Sequence, residues 1–362
     1  MKAWRFYAFG DMRLDEVPPP EAKPGWVVCW VRRVQPSITD VQRALGIGTI
    51  NSDLLRERLE RCAPVQLLGH EMSAEVAETG EGVEGLAPGD IVSTSGHVSC
   101  GACTGCRAGK EAWCTDKIHV GINTPGAFAE MLAMPAAGLV RVPPTLDDAS
   151  IVCLQPLSSV VAAVGDARLG PGETVAITGQ GVMGLYALQA ARMRGAAAVY
   201  AVDVKDEALA LSRKFQADAA IDARSEDPVA RGWELTEGRG ADLVFECAGG
   251  SADHGLSGHA TLHQAFRMVR PGGRVMQVAG LVGEVQVDPR FMRSRGIQWI
   301  FPEGHGAETL RQGAEWVATE GVDVRSLVTH EVWGLERLPE AMEITRHKEK
   351  YKATNPCQVV LA

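Results

Sequence analysis

The chain has 362 residues, 46% hydrophobic and 22% charged, with nine cysteines and a formal net charge of −9. That is room for two domains and a large core, in the composition of an ordinary globular protein. An acidic chain with no long basic run does not suit nucleic acid or an anionic membrane, and no apolar stretch approaches the about 18–20 residues of a membrane span.

Met1–Asp11 has no signal-peptide layout, which points to the cytoplasm. There, cysteines serve as metal ligands or core residues rather than as disulfides. The first part of the chain reads as short β-segments such as 26–31 and 139–142, punctuated by Pro18–Pro20 and Pro143–Pro144. Between Gly46 and His70, residues 54–61 interleave leucines at 54, 55 and 59 with opposite charges, the pattern of an amphipathic helix. Cys100, Cys103, Cys106 and Cys114 follow as C-x2-C-x2-C-x7-C, with glycines at 101, 105 and 109 that let the backbone wrap an ion. Four thiolates at this spacing suit a closed, tetrahedral, structural Zn²⁺ site, which leaves no coordination position for chemistry.

The apolar run 173–178 leads into Gly179-Gln180-Gly181-Val182-Met183-Gly184, and helix formers fill 185–194. Strand, glycine turn and helix together make this a dinucleotide-binding fingerprint. The glycines allow a tight turn and close approach of backbone N–H groups to a pyrophosphate, and the helix N-terminus adds partial positive charge. A second strand, 197–202, ends at Asp203, placed to accept the ribose hydroxyls of the adenosine half and to repel a 2′-phosphate. That favours NAD, while the nearby Lys205 keeps NADP open. Further on, 207–215 reads as a helix, 241–249 as a strand and glycine turn, 261–270 as a helix stopped by Pro271-Gly272-Gly273, and 274–279 as a strand. This alternation, from about 172 to 300, is that of a doubly wound parallel sheet.

Taken with Gly69-His70-Glu71 and its continuation to Gly80, Gly126–Glu130, the cysteine cluster and the fingerprint, the chain resembles the medium-chain dehydrogenase/reductase superfamily, the zinc-type alcohol and polyol dehydrogenases, over essentially its full length. The resemblance implies an α/β protein with a GroES-like β-rich catalytic domain and a Rossmann cofactor domain. Its boundaries would be 1–156 with the zinc lobe at 97–116, then 157–298 for NAD, then 299–362 returning to the catalytic domain. It implies that Cys247 to Gly249 and Ala279 to Leu281 lie beside the nicotinamide and its ribose, with Cys247 read as a core residue. It implies a homodimer or homotetramer acting on a small-molecule substrate. The family usually shortens the stretch before His70, so the helix at 54–61 is either a surface helix or a flap over the substrate entrance.

The family builds a catalytic zinc site from a Cys in C-G-[ST]-D, the His of G-H-E and a later acid or Cys. Here the first motif reads Ser37-Ile38-Thr39-Asp40, His70 and Glu71 are present, and the later Glu is Gln155. A set of His70, Glu71, Gln155 and Ser37 trades thiolate and carboxylate for neutral oxygens, which are poorer zinc ligands, so a catalytic zinc is either retained weakly or absent. Thr39 stands where the family places the hydroxyl that meets the substrate oxygen, and can pass a proton with or without a metal. The expected relay histidine is Gln42. Asp40 either orients His70 or caps the helix that follows it. His97, His119 and His254 read as surface or loop residues.

Three functions compete. The first is an NAD-dependent dehydrogenase of a polyol, cyclitol or sugar-like secondary alcohol. The second is a zinc-free reductase of an activated C=C, C=N or C=O. The third is a redox-inactive dinucleotide-binding subunit.

Overall fold

The strand Trp26–Gln35 has hydrogen-bonded neighbours on both sides, and most of its residues are buried. On one side it pairs antiparallel with Glu71–Thr79, in a register that sets Gln35 opposite Glu71. On the other, Met131–Pro135 covers its first half and Gln358–Val360 reaches Arg33 and Val34. The seven-stranded sheet runs Leu139–Arg141, Ile91–Thr94, Glu71–Thr79, Trp26–Gln35, Gln358–Val360, Glu331–Trp333, with Met131–Pro135 off this path. This is a computed structural model, and it describes residues 1–48, 51–248, 259–281, 283–304, 306–319 and 321–362. Gly249 and His254 of the sequence reading lie outside them.

The chain divides into two compact units, Met1–Ser158 with His305–Thr319 and Val324–Ala362, and Ser159–Gly304 with Glu320–Asp323. The first unit is the β-rich one. Its core gathers Phe6, Val27, Val34, Leu67, Met72 and Phe128 with Val359 from the returning C-terminal segment. The amphipathic helix before His70 spans Ser52–Cys62. Leu55 and Leu59 enter this core while Leu54 stays exposed. Burying the two leucines stabilises the helix against its support by about 1.5–3 kcal/mol each. Arg56 lies over the Phe9 ring. The helix is therefore docked by its apolar face.

In the second unit the parallel strands lie in the order Ala219–Asp222, Ala198–Asp203, Thr174–Thr178, Ala241–Glu246, Val269–Gln277, Gln298–Ile300. In chain order this is 3-2-1-4-5-6, the doubly wound arrangement whose ligands bind at the carboxyl ends beside the switch between the first and fourth strands. One element differs from the sequence reading. The helix Ala260–Met268 ends before Pro271, and the next strand already begins at Val269. Ala241 pairs with Val269 and Leu243 with Arg274, so Pro271-Gly272-Gly273 bulges out of a strand instead of preceding it.

Candidate active site

The register Gln35↔Glu71 explains why two distant motifs meet. As one strand ends at Gln35, Pro36 and Ser37 turn the chain into the helix Ile38–Ala44, while His70 sits one residue before its partner strand begins. Ser37 is the N-cap: its Oγ accepts from Asp40 N at 3.0 Å, and Asp40 Oδ2 accepts from Ser37 N at 3.2 Å. Ser37 Oγ also lies 2.8 Å from Thr39 Oγ1. Asp40 is therefore not the N-cap: the helix begins before it, and it serves from the third helical position by reaching back to Ser37 N. Its second oxygen, Oδ1, faces His70 Nδ1 at 3.4 Å. Burial would raise the Asp40 carboxyl, but His70, Ser37 and Arg43 outweigh it and hold the pKa below the ordinary value. Burial would likewise lower His70, and Asp40 overcomes it, so the imidazole is the more basic for its partner.

Gly96 adds a third wall. It has φ +84°, and a Cβ there would stand 3.1 Å from His70 Cδ2 and 3.4 Å from Gln155 Nε2. The histidine and the amide thus share one small space, with Gln155 Nε2 donating to Ser95 O at 3.3 Å. Glu71 is held elsewhere. Its carboxylate accepts from Gln35 Nε2, and Gln35 Oε1 accepts in turn from Asn355 Nδ2 at 2.6 Å and Gln358 Nε2 at 3.1 Å. Burial pushes Glu71 up to about 7 against the pull of His70 and Gln35. The structure thus brings Thr39, Asp40, His70 and Gln155 together, and ties Ser37 and Glu71 into other bonds.

The four cysteines converge. The Sγ atoms of Cys100, Cys103, Cys106 and Cys114 all lie within 4.8 Å of one another, and among the described residues they are the cluster of His, Cys, Asp and Glu that could hold a metal. Cys103 and Cys106 are 3.5 Å apart, and the N–H groups of Ala102 and Cys103 point at Cys100 Sγ. This fits a tetrahedral zinc. The lobe is closed by two short strands, His97–Val98 and Ile118–His119, which pair His97 with His119. Their rings stand 6.3 Å apart. Burial lowers the pKa of His119, and the charges of Lys117, Arg43 and His70 add to this. The sequence reads both histidines as surface or loop residues, whereas each stands half-buried in a short strand. The signal that could have placed them is that they bracket the cysteines, whose closure fixes where they go.

In the second unit each fingerprint glycine has its own reason. Gly179 takes φ +84° and a Cβ there would crowd Ala248. At Gly184 a Cβ would collide with Gly179 O. Gly181 is the opposite case: it is exposed, and among the described residues no atom lies within 4 Å of a Cβ built on it. Gly181 is the N-cap of the helix Val182–Met193 with no side-chain cap, and Val182 and Met183 form the first turn. Open space thus lies before the uncapped N–H groups of a helix N-terminus, which carries partial positive charge. Asp203 Oδ2 accepts from Gln180 N at 2.6 Å, and Oδ1 from Val204 N and Lys205 N at 2.7 and 2.9 Å, so the acid braces the glycine turn.

Cys247 N donates to Thr178 O at 2.8 Å. Burial and Glu246 push its thiol well above the ordinary value, which suits packing and not reactivity. Ala279 N donates to Glu246 O at 3.0 Å, and Leu281 packs against the second core.

A family model described as an alcohol dehydrogenase GroES-like domain matches residues 23–144, and one described as zinc-binding dehydrogenase matches 182–319. The L-threonine 3-dehydrogenase of Bacillus velezensis is 32% identical over 342 residues, 94% of this chain and 93% of its own. Among solved structures, the alcohol dehydrogenase TADH from Thermus sp. ATN1 is similar with a TM-score of 0.84 at 27% identity, covering 100% of both chains. A zinc-binding dehydrogenase from Sinorhizobium meliloti bound to NADP gives a TM-score of 0.84 at 26% identity, covering 99% of each.

Proposed function

The chain belongs to the zinc-binding dehydrogenases of the medium-chain dehydrogenase/reductase superfamily, and from that premise we propose that it exchanges a hydride between NAD and the carbinol carbon of a polyol-, cyclitol- or sugar-like secondary alcohol. It is an NAD(P)-dependent alcohol oxidoreductase, and its cofactors are a nicotinamide dinucleotide and zinc. L-threonine, named for the Bacillus relative, is itself a secondary alcohol, and the proposal keeps that carbinol chemistry. NAD is preferred to NADP because Asp203 stands where a 2′-phosphate would have to sit. Family membership supports a homodimer or homotetramer, which light scattering reads directly.

The observation that carries the reading is the His70–Asp40 pair beside Thr39. Bound nicotinamide supplies the hydride acceptor. The chain supplies the rest. Backbone N–H groups after Gly179 hold the pyrophosphate, and Asp203 the adenosine ribose. Thr39 Oγ1 accepts the hydrogen bond of the carbinol O–H, with Ser37 Oγ at 2.8 Å to share the proton. Asp40 faces Nδ1 of His70 and makes the imidazole more basic, leaving the lone pair of the other ring nitrogen to take up the carbinol proton that Thr39 passes on while the hydride leaves for the nicotinamide.

Zinc fits the four cysteines, where it holds the lobe and does no chemistry. The donors Ser37, His70, Glu71 and Gln155 do not fit a second, tightly held ion. The serine oxygen is neutral and caps its helix, the glutamate is bound to Gln35, and no thiolate is present. The same donor set favours, as a second reading, a zinc-free reductase of an already electrophilic C=C, C=N or C=O.

Metal analysis and turnover test this together. One zinc per chain is expected, and two would mean that His70 and its neighbours hold a second ion, which would supply Lewis acidity there. Thr39→Val should cut NAD⁺ reduction by about a hundredfold, the scale of one lost proton-transfer partner, with NADH affinity unchanged. An unaltered rate removes Thr39 from the proton path.

A further inference from the structure

The β-rich unit carries a cavity of about 470 Å³ whose wall includes Glu21, Lys23, Trp26, Asn123 and, from the helix Ser52–Cys62, Arg58. None of Thr39, Asp40, His70 and Gln155 lines it. Trp26 opens the strand whose far end, Gln35, leads to the catalytic cluster, so nine steps of about 3.3 Å separate the two along the strand. The half-buried arginines Arg5, Arg32 and Arg33 of this unit each face a carboxylate. Arg58, also half-buried, faces none among the described residues, Glu21 included. Its Nε is enclosed without a hydrogen-bond partner, and its two outer nitrogens keep some exposed surface and are likewise unpaired. Lys23 adds a second cation, 5.8 Å from the centre of the Trp26 ring. Asn123 offers no free amide, because Oδ1 accepts from His119 N at 2.7 Å and Nδ2 donates to Lys117 O at 2.9 Å. The donors left to a ligand on this wall are therefore the two cations.

We infer that this cavity binds a small organic anion, apart from coenzyme and alcohol. Its carboxylate or phosphate head pairs with the outer nitrogens of Arg58, with Lys23 beside it, and its apolar body lies against Trp26, Pro20, Pro125 and Ala133. A guanidinium stays protonated at any working pH, so a half-buried one without a counter-charge keeps its desolvation cost unrepaid. An anionic head repays it with charge-assisted, bidentate hydrogen bonds that water screens less than at an open surface. The volume lies within the about 300–1,000 Å³ of small-molecule sites, which is more than a bare inorganic ion fills. A neutral ligand of the same shape gains the apolar contacts and leaves Arg58 as it was.

Calorimetry tests it on the zinc-loaded protein saturated with NADH, which fills the coenzyme's own phosphate sites. Benzoate probes the carboxylate head, phenyl phosphate the phosphate head, and benzamide is the neutral control. At least one of the two anions should bind with a Kd of about 1 mM or tighter, and benzamide about tenfold or more weaker. Arg58→Gln should weaken that anion by about tenfold or more with melting temperature and NADH affinity unchanged, and Arg58→Lys should keep part of the affinity. Should Arg58→Gln fail to fold, Lys23→Glu at its exposed position takes its place, with weaker anion binding as the expected result. Three results overturn the inference: neither anion binds the wild-type complex, benzamide binds as well as the anions, or anion affinity is unmoved by the substitution.

Discussion

Glu246 has no exposed surface, and its oxygens are treated unequally. Oε1 accepts from Ala248 N at 3.0 Å and Thr261 Oγ1 at 2.8 Å, while Oε2 has no hydrogen-bond partner among the described residues. Burial raises its pKa, against the pull of those two donors, because a neutral carboxyl is cheaper to leave half-satisfied than a carboxylate. The sign follows. As pH rises above the ordinary glutamate value, the unfolded chain releases this proton while the folded one keeps it. Stability is therefore fully present at low pH and is lost as pH climbs through the raised folded value. Glu246→Gln should flatten that loss in melting temperature against pH and leave NADH affinity near wild type, whereas an unchanged slope would mean the group is ionised throughout. Legibility at this scale was uneven. Thr39, His70 and Asp203 stand in motifs whose spacing announces them. Gly96 and Glu246 do not, because what distinguishes them is enclosure by segments distant in sequence.

At the scale of elements, the glycine turn was legible because each strand and helix around it has its own periodicity. What the spacing could not give is which glycine serves the fold and which serves the ligand. Gly181, at φ −69° with open space about it, tolerates a side chain in the protein itself. Gly181→Val should therefore keep the melting temperature within a degree or so while weakening NADH by about tenfold or more, ~1.4 kcal/mol, by filling the pyrophosphate cradle. Gly184→Ala should do the reverse, costing about 1–3 kcal/mol of stability because its methyl meets the Gly179 carbonyl. Equal effects of the two changes on coenzyme affinity would show that the turn is only structural. The helix Ser52–Cys62 was legible as a helix from its leucines, but the side it docks was not, since that depends on Phe9 and the first core. The strand through Pro271-Gly272-Gly273 was misplaced because those residues read locally as a stop, and only the parallel neighbour Ala241–Glu246 carries the pairing across them.

For the whole molecule, the order of segments carries most of the meaning. A β-rich unit is left at Ser158, a doubly wound unit follows, and the C-terminal residues Gln358–Val360 pair with Trp26–Gln35 of the first. Turn chemistry and periodicity foretold the doubly wound part. The antiparallel unit was recognisable only from its motif set, because short strands such as Val65–Gln66 and His97–Val98 have no periodicity to read. Among the described residues no helix is long and apolar enough to cross a membrane. The catalytic role assigned to the Thr39 and His70–Asp40 cluster is met most directly by isotope transfer. Protein verified at one zinc per chain is given NAD⁺ and secondary alcohols deuterated at the carbinol carbon, drawn from polyols and hydroxy acids. The deuterium should arrive on the nicotinamide ring, faster with NAD⁺ than with NADP⁺. Well-folded protein that binds neither coenzyme, or that moves no label from any alcohol, would contradict it.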